Sequence, residues 1–569
     1  MRRLVLKLSR FLGELKRRHV VRVLGAYAVF AFVILQVGDL LFEAFELGPF
    51  ALEFLFWILV LGTPLAVVLS WAFDVTEEGV TVTPPRDDAT ATPAPPPDDG
   101  RPSIAVLPFA NMSAGEESEY FSQGITEDII QNLAQLRGLR VVSRTSCMGY
   151  QGTDKPLRAI AAELGVGAIL EGSVRRSTNR VRIVAQLIDG ATDDHLWAET
   201  YDRDMEDIFG IQSDVARRIT EALEAELSPE EQDRLGGKPT DNLEAYDLFL
   251  RGRYLWSKRT ESALAQSVEY FEQALELDGE FALAHVGIAD SCATLGMYGA
   301  RPPTTVMPKA REAADRALTH DSARAQALTA RGCIRSVYEW DTQGAEADFG
   351  EALDLQPEYP TAHHWYAVNF LAPRSRFEEA RRILCKARAL EPLVPAIDAS
   401  LGLVNALEGS YNEAIEGYED ILRVEETFQL AHYFLGHTYI ACEEHSRAIT
   451  ALERAAELSG HSPETVSLLA HARARSGDFD GARTGLGDLA QLAETRYVSA
   501  ALFAQIHVAL GESEMALTAL EKGLDERAPE MIWLGVRPSF KALHDQPRFV
   551  KLLAAVGLET PVFGRSVGA

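Results

Sequence analysis

From about residue 243 the apolar positions recur at the three-to-four-residue period of amphipathic helices. The segments come in pairs. A small or apolar residue stands late in each second segment, at Ala274, Ala317, Ala352, Ala387, Ile421, Ala455, Leu489 and Gly523. The steps between them are 43, 35, 35, 34, 34, 34 and 34 residues. Other positions keep the same beat. Leu401-Gly402, Leu435-Gly436 and Leu469-Ala470 mark where a first helix crosses its partner, and Ala414, Ala448 and Ala482 follow in the second helix. Gly252, Gly332 and Ala367 take the crossing role in earlier units, and Phe271, Phe349 and Tyr418 supply an aromatic in the second helix. Helices cross closely only where one side offers Gly or Ala and the other fills the groove. Pro357 and Pro392 fall just past helix ends. The 43-residue step is assigned to a loop insertion, Gly299-Ala-Arg-Pro-Pro-Thr-Thr.

A period of about 34 residues is that of tetratricopeptide units. The reading is eight units over 243–526, an all-α superhelix, followed by a cap and tail over 527–569. A solenoid must cover the apolar face of its last repeat.

The pattern before residue 100 differs. Val20 to Phe42 is almost wholly apolar, and Phe54 to Phe73 has no charge. Each is long enough to cross a hydrocarbon core of about 30 Å. Residues 1–19 form a basic leader, and the connector holds Glu43, Glu46 and Glu53 with no Lys or Arg. The positive-inside rule then predicts a two-span transmembrane hairpin over 20–73 in the inner (cytoplasmic) membrane, with the amino terminus and the carboxy-terminal body cytoplasmic. The first run is too long for a signal-peptide core and lacks a small-residue cleavage site. A proline-rich tether, 74–102, follows as an extended spacer.

Between tether and repeats lies a mixed segment, 103–235. Ser103–Phe109, Arg140–Arg144, Ala168–Val174, Val181–Leu187 and His195–Thr200 read as strands. Glu117–Leu136, Arg158–Leu164 and Met205–Leu227 read as helices. The order β-α-β-α-β-β-β-α predicts an α+β domain with one helical face.

Four stretches of this segment carry a resemblance: Ile104-Ala-Val-Leu-Pro-Phe109, Tyr120-Phe-Ser-Gln-Gly-Ile-Thr-Glu-Asp128, Gly165-Val-Gly-Ala-Ile-Leu-Glu-Gly-Ser173 and Leu196-Trp-Ala-Glu-Thr-Tyr201. They resemble the amino-terminal domain of TolB and the related domain of the flagellar protein FlgO. In chains of this kind the domain sits between a variable amino-terminal module and helical repeats. Some of them carry a nucleotide cyclase or a winged helix there. This chain has the apolar hairpin instead, so neither activity is implied.

Charge narrows the functions further. The net charge is -28, and residues 1–22 hold eight basic residues against Glu14 alone, so the acidity lies in the body. Such a body repels phosphate backbones, which argues against nucleic-acid binding. Cys147, Cys292, Cys333, Cys385 and Cys442 form no CxxC and read as buried small residues in a reducing compartment. Gly165-x-Gly167 leads into a strand and lacks the following Lys-Ser/Thr of a phosphate loop. Glu127-Asp128 reads as acids favoured in a helix's first turns or simply solvated. Asp193-Asp194 reads as turn chemistry. His363 and His364 point about 100° apart on a helix and do not chelate together. No catalytic, cofactor or metal residue is assigned.

Helical projection places Gln326, Thr329, His364, Tyr433 and His437 on the inner face of the array as partner-binding residues. The sequence therefore predicts a non-enzymatic, membrane-anchored scaffold that holds a protein or peptide on its repeats and meets the bilayer through 20–73. The alternative is a transmembrane regulator, with the hairpin as sensor and the α+β domain as transmitter or ligand-binding module. A nucleotide-binding enzyme ranks third.

Overall fold

The computed structural model describes residues 101–558, apart from 114–118, 135, 137, 178, 226–227 and 229–236, together with 73–76, 79–82, Ile34 and Leu59. The leader, nearly all of the two expected spans and most of the tether lie outside the described residues. Among the described residues no helix is long and apolar enough to cross a membrane. Strands β1 (Phe73–Thr76) and β2 (Gly79–Val82) pair antiparallel, Phe73 opposite Val82. An extended spacer is expected over 74–102; its first described residues are instead paired strands.

The α+β region is built on β3 (Ser103–Val106), β4 (Ala110–Asn111), β5 (Arg140–Val141), β6 (Ala168–Arg176), β7 (Arg180–Asp189) and β8 (His195–Asp204). The sheet runs β5-β3-β6-β7-β8, with β4 beside β6. β3 is parallel to both β5 and β6, while β6, β7 and β8 form an antiparallel meander. Helices α1 (Glu119–Ala134), α2 (Arg144–Met148), α3 (Leu157–Leu164) and α4 (Ile208–Ala222) complete it.

One helical face was expected; the sheet has two. Ile104 and Val106 pack with Phe121, Ile125 and Ile129 of α1 and Ile211 and Val215 of α4. Ala105 and Leu107 face the other way, onto Cys147 of α2 and Ile160 and Leu164 of α3. The physical cause is the unbroken run Ile104-Ala-Val-Leu107. A strand that is apolar at consecutive positions must be covered on both sides. The short helix α2 had no periodic signal of its own.

Gly165 ends α3 in the left-handed conformation, φ 63°. A Cβ at Gly172 would run into the Val184 carbonyl oxygen and the Phe109 ring. Both glycines thus serve backbone geometry.

Eight helix pairs follow: α5 (Leu243–Ser257) with α6 (Glu261–Leu277), α7 (Ala282–Met297) with α8 (Pro303–Ala317), α9 (Arg324–Ile334) with α10 (Thr342–Leu355), and α11 (Pro360–Tyr366) with α12 (Phe377–Leu390). Then come α13 (Pro395–Glu408) with α14 (Tyr411–Val424), α15 (Gln429–Ala441) with α16 (His445–Ser459), α17 (Pro463–Arg475) with α18 (Phe479–Ala493), and α19 (Ala500–Ala509) with α20 (Ser513–Asp525). In the first, third and fifth pairs an aromatic of the second helix fills the space a glycine leaves. A Cβ at Gly252 or Gly287 would come 2.5 Å from the Phe271 ring, and one at Gly402 2.5 Å from Tyr418. In the sixth pair Leu452 fills the same space against Gly436.

The 35-residue steps have a structural cause. α9 and α11 each continue into a π turn, Arg335–Glu339 and Ala367–Leu371. A π turn accommodates one residue more than an α turn. The two steps of 35 contain these turns. They stack on each other, with the Ser336 hydroxyl donating to the Asn369 carbonyl at 2.7 Å. In the 43-residue step the loop is shorter than expected, because Pro303 already belongs to α8, where proline is tolerated in the first turn.

Past α20, the short turns Pro529–Trp533 and Pro538–Leu543 and helix α21 (Pro547–Ala555) lay Met531, Phe540, Phe549 and Leu552 on Ala501, Leu517 and Leu520 of the last pair. Cys147, Cys292 and Cys333 are buried, whereas Cys385 is exposed.

The crossing geometry makes two opposite predictions. Gly402→Val overpacks the Tyr418 contact and should lower stability by about 2 kcal/mol. Gly417→Ala sits mid-helix with open space around its Cβ and should raise stability by roughly 0.5–1 kcal/mol. Chemical denaturation of each variant checks the signs.

Candidate functional site

The first helices of successive pairs touch one another and form the inner wall of the array. The five residues assigned to this wall from sequence do not share one environment. Thr329 is 1% exposed and its hydroxyl donates to the Ala325 carbonyl at 2.8 Å. Its side chain is turned to its own helix. His437 is buried as well; burial and then Arg537 push its imidazole down to about 3, so it is neutral at physiological pH. His364 is half-buried, hydrogen-bonded through Nε2 to Ser400 Oγ at 2.9 Å, and held down at about 4 by burial and Arg259. His363 turns to the Pro357 carbonyl instead, 2.8 Å away, so the adjacent histidines have separate partners. Tyr433 is half-buried, with its ring 5.6 Å from Phe434. Gln326 is half-buried at the rim of a cleft described below.

Helical projection could not show that the wall is partly covered by the chain's own segments. Trp533 and Val536 of the cap pack on Leu403 and Leu407 of α13 and on Phe434 of α15. Arg527 donates to the Tyr338 carbonyl at 3.0 Å and lies 4.1 Å over the Trp340 ring, tying the end of the array to its third pair. Arg496, between the seventh and eighth pairs, approaches Glu261 of the first at 3.8 Å. The superhelix closes on itself through these contacts.

The α+β region docks on the opening pairs. Gly124 of α1 lies against Leu250 of α5, where a Cβ would come 2.7 Å from the Leu250 side chain. Phe209 of α4 meets Tyr246 edge-on, with centroids 4.7 Å apart. Around this apolar contact sit charges. Glu127 accepts from Arg253 Nε at 3.2 Å and pairs with Arg144 at 3.3 Å. Burial raises the Glu127 pKa, but Arg253 and Arg144 outweigh it and hold the carboxyl below its usual range. Asp247 accepts from Tyr120 at 2.9 Å and from Arg251 at 3.2 Å, and pairs with Arg176. Farther along, Arg101 pairs with Glu358 at 2.6 Å, and the Leu393 amide donates to Ser146 Oγ at 3.3 Å.

The Glu127-Asp128 pair is thus not a solvated helix start. α1 begins at Glu119, so both acids are mid-helix and face the repeats. Asp128 Oδ2 accepts from Gln212 Nε2 at 2.9 Å and from the Tyr246 hydroxyl. Burial, opposed by these hydrogen bonds, pushes Asp128 up to about 7. It lines a cleft of about 780 Å³ between α1, α4 and the second and third helix pairs. Gln131, Asn132, Gln212, Gln326 and Gln356 share that wall. Adjacent acids in a mixed-domain helix were the only sequence sign of this site. Among the described residues no metal-binding group of His, Cys, Asp and Glu occurs.

Asp128 gives a pH prediction with a defined sign. Its folded pKa lies above its ordinary unfolded value of about 3.9, so the unfolded chain loses this proton first. Its contribution to stability therefore falls as pH rises from about 4 to about 7. Asp128→Asn cannot titrate. The melting temperature of the variant, relative to the natural chain, should climb through that window; a difference independent of pH would contradict the assignment.

Comparisons with known proteins bear on the repeats. Residues 430–461 match the family model described as a tetratricopeptide repeat. A 210-residue stretch is 44% identical to "Putative adenylate cyclase 3" of Rhizobium meliloti (strain 1021). The match spans 36% of this chain and 36% of that protein, so the chain matches about a third of the curated relative's length. Among solved structures, the type IV pilus biogenesis factor PilW is 17% identical, covering 37% of this chain and 94% of its own, at a TM-score of 0.30. A tetratricopeptide repeat protein from Parabacteroides merdae is 11% identical, covering 48% and 100%, at 0.35. The matched segment lies in the sixth helix pair, so the chain carries tetratricopeptide-type helix pairs beside a small α+β region.

Proposed function

We propose that the protein is a non-enzymatic scaffold, anchored in the inner membrane through residues 20–73, that holds a protein partner on its repeats. The observation that carries this reading is the eight-pair array with its tetratricopeptide match, since arrays of stacked helix pairs serve as extended binding surfaces. The half-buried inner-wall residues Gln326, His364 and Tyr433 keep solvent-facing surface and are the proposed contacts. The body and the amino terminus are proposed to be cytoplasmic, on the charge asymmetry of the leader and connector.

Photo-crosslinking in cells tests the scaffold. A crosslinker at Gln326 or Tyr433 should trap a discrete protein, whereas one at the exposed, outward Val424 should not. Equal or absent trapping at all three positions would refute the inner-wall reading. Reporter fusions at both termini should report the cytoplasm; a periplasmic carboxy terminus would overturn the topology.

A second reading, transmembrane regulation, is favoured by the charged docking of α1 on α5, which would couple the α+β region to the array. Replacing the hairpin with an unrelated two-span anchor separates the two. A scaffold keeps its partner, and a sensor loses its response. The relative's name raises cyclase chemistry as a third reading. Turnover of ATP by the purified full chain would support it and count against a purely structural role.

A further inference from the structure

The cleft beside Asp128 shares only Gln326 with the scaffold reading, and its charges are unevenly satisfied. Its cationic residues are engaged by acids: Arg101 with Glu358 at 2.6 Å, Arg324 with Glu351 at 2.7 Å and Lys238 with Asp241 at 3.7 Å. Three of its carboxyls, Asp128, Asp321 and Asp354, have no ion pair among the described residues. Both hydrogen bonds to Asp128 fall on Oδ2. Oδ1 takes none among the described residues, and it is not among the buried polar atoms that lack a partner. The amides of Gln131, Asn132 and Gln326 line the same cleft and supply neutral acceptors. A concave site with a few convergent polar groups is the usual form of a small-molecule site; here Asp321 and Asp354 are exposed, and the half-buried acceptor without a protein donor is Asp128 Oδ1.

We propose that this cleft binds an organic cation bearing a primary ammonium, which donates to Asp128 Oδ1 and to the surrounding amide oxygens. An ammonium has three donors and no acceptor, which matches a wall of carboxyl and amide oxygens. The charged groups facing Asp128 are Glu127 on its own helix and Arg253 on α5, with Tyr246 of α5 as a titratable donor. Glu127 and Arg253 neutralise each other. The ammonium is therefore the missing counter-charge for Asp128. Its binding must hold Asp128 ionised and release the proton that burial favours. This inference does not rest on the scaffold reading.

The test is calorimetry on the purified full chain with spermidine at low ionic strength, with magnesium chloride as a charge control. At pH 6.5 we expect saturable binding whose heat varies with the buffer's ionisation enthalpy, because protons are released. Asp128→Asn should weaken it at least ten-fold, roughly what one hydrogen bond to a charged group contributes. Gln326→Lys, which plants an ammonium at the rim, should weaken it as well and decides the matter if the first variant does not fold. The peptide Gly-Lys-Gly separates sources. Saturation by the peptide but not by spermidine assigns the ammonium to a partner's lysine, and the reverse assigns it to a free amine. No saturable heat with either, equal affinity for magnesium, or full affinity in both variants would overturn the proposal.

Discussion

The close crossing of a small residue against a large one is the contact on which the rest of this molecule depends. Gly252 and Gly287 both press on Phe271, Gly332 on Phe349 and Gly402 on Tyr418. Each such contact lets two helices approach until their apolar faces exclude water, and each pair then presents a new face to the next. The same device joins the α+β region to the array, through Gly124 and Leu250. A single buried core consequently runs from Ile104 of the sheet to Val404 of the fifth pair.

Closure follows from continuity. With the α+β region seated on the opening pairs and the cap folded back onto α13 and α15, the inner wall is only partly free. The charges at these seams are of a kind whose value depends on completeness. A buried pair adds little over an apolar contact, but removing one member leaves an unpaired charge. Glu127 is shared between Arg253 and Arg144, so the loss of either arginine leaves it half-satisfied. Asp128, one residue on, has hydrogen bonds and feels Arg253 at longer range but forms no ion pair among the described residues, and that difference separates the two acids.

Much of the array was legible in the sequence because each helix pair repeats the same local requirement. Even its irregularities had a numerical trace: steps of 35 mark the π turns at Arg335–Glu339 and Ala367–Leu371. What the chain could not reveal locally is what meets over long separations. Glu127 and Arg253 are 126 residues apart, and neither stands in a motif. Projection on an ideal helix assigns Thr329 and His437 an angle but says nothing of what buries them. Likewise, the second helical layer on Ala105 and Leu107 joins α3, legible as a helix, to α2, which is too short to impose a period.

If the α+β region and the repeats share one core, they must open together. Hydrogen exchange of the full chain, read separately on Glu119–Ala134 and Leu243–Ser257, measures this most directly. The account predicts the same protection for the most protected amides of both helices, governed by one cooperative opening. Fast exchange in Glu119–Ala134 while Leu243–Ser257 stays protected would contradict it.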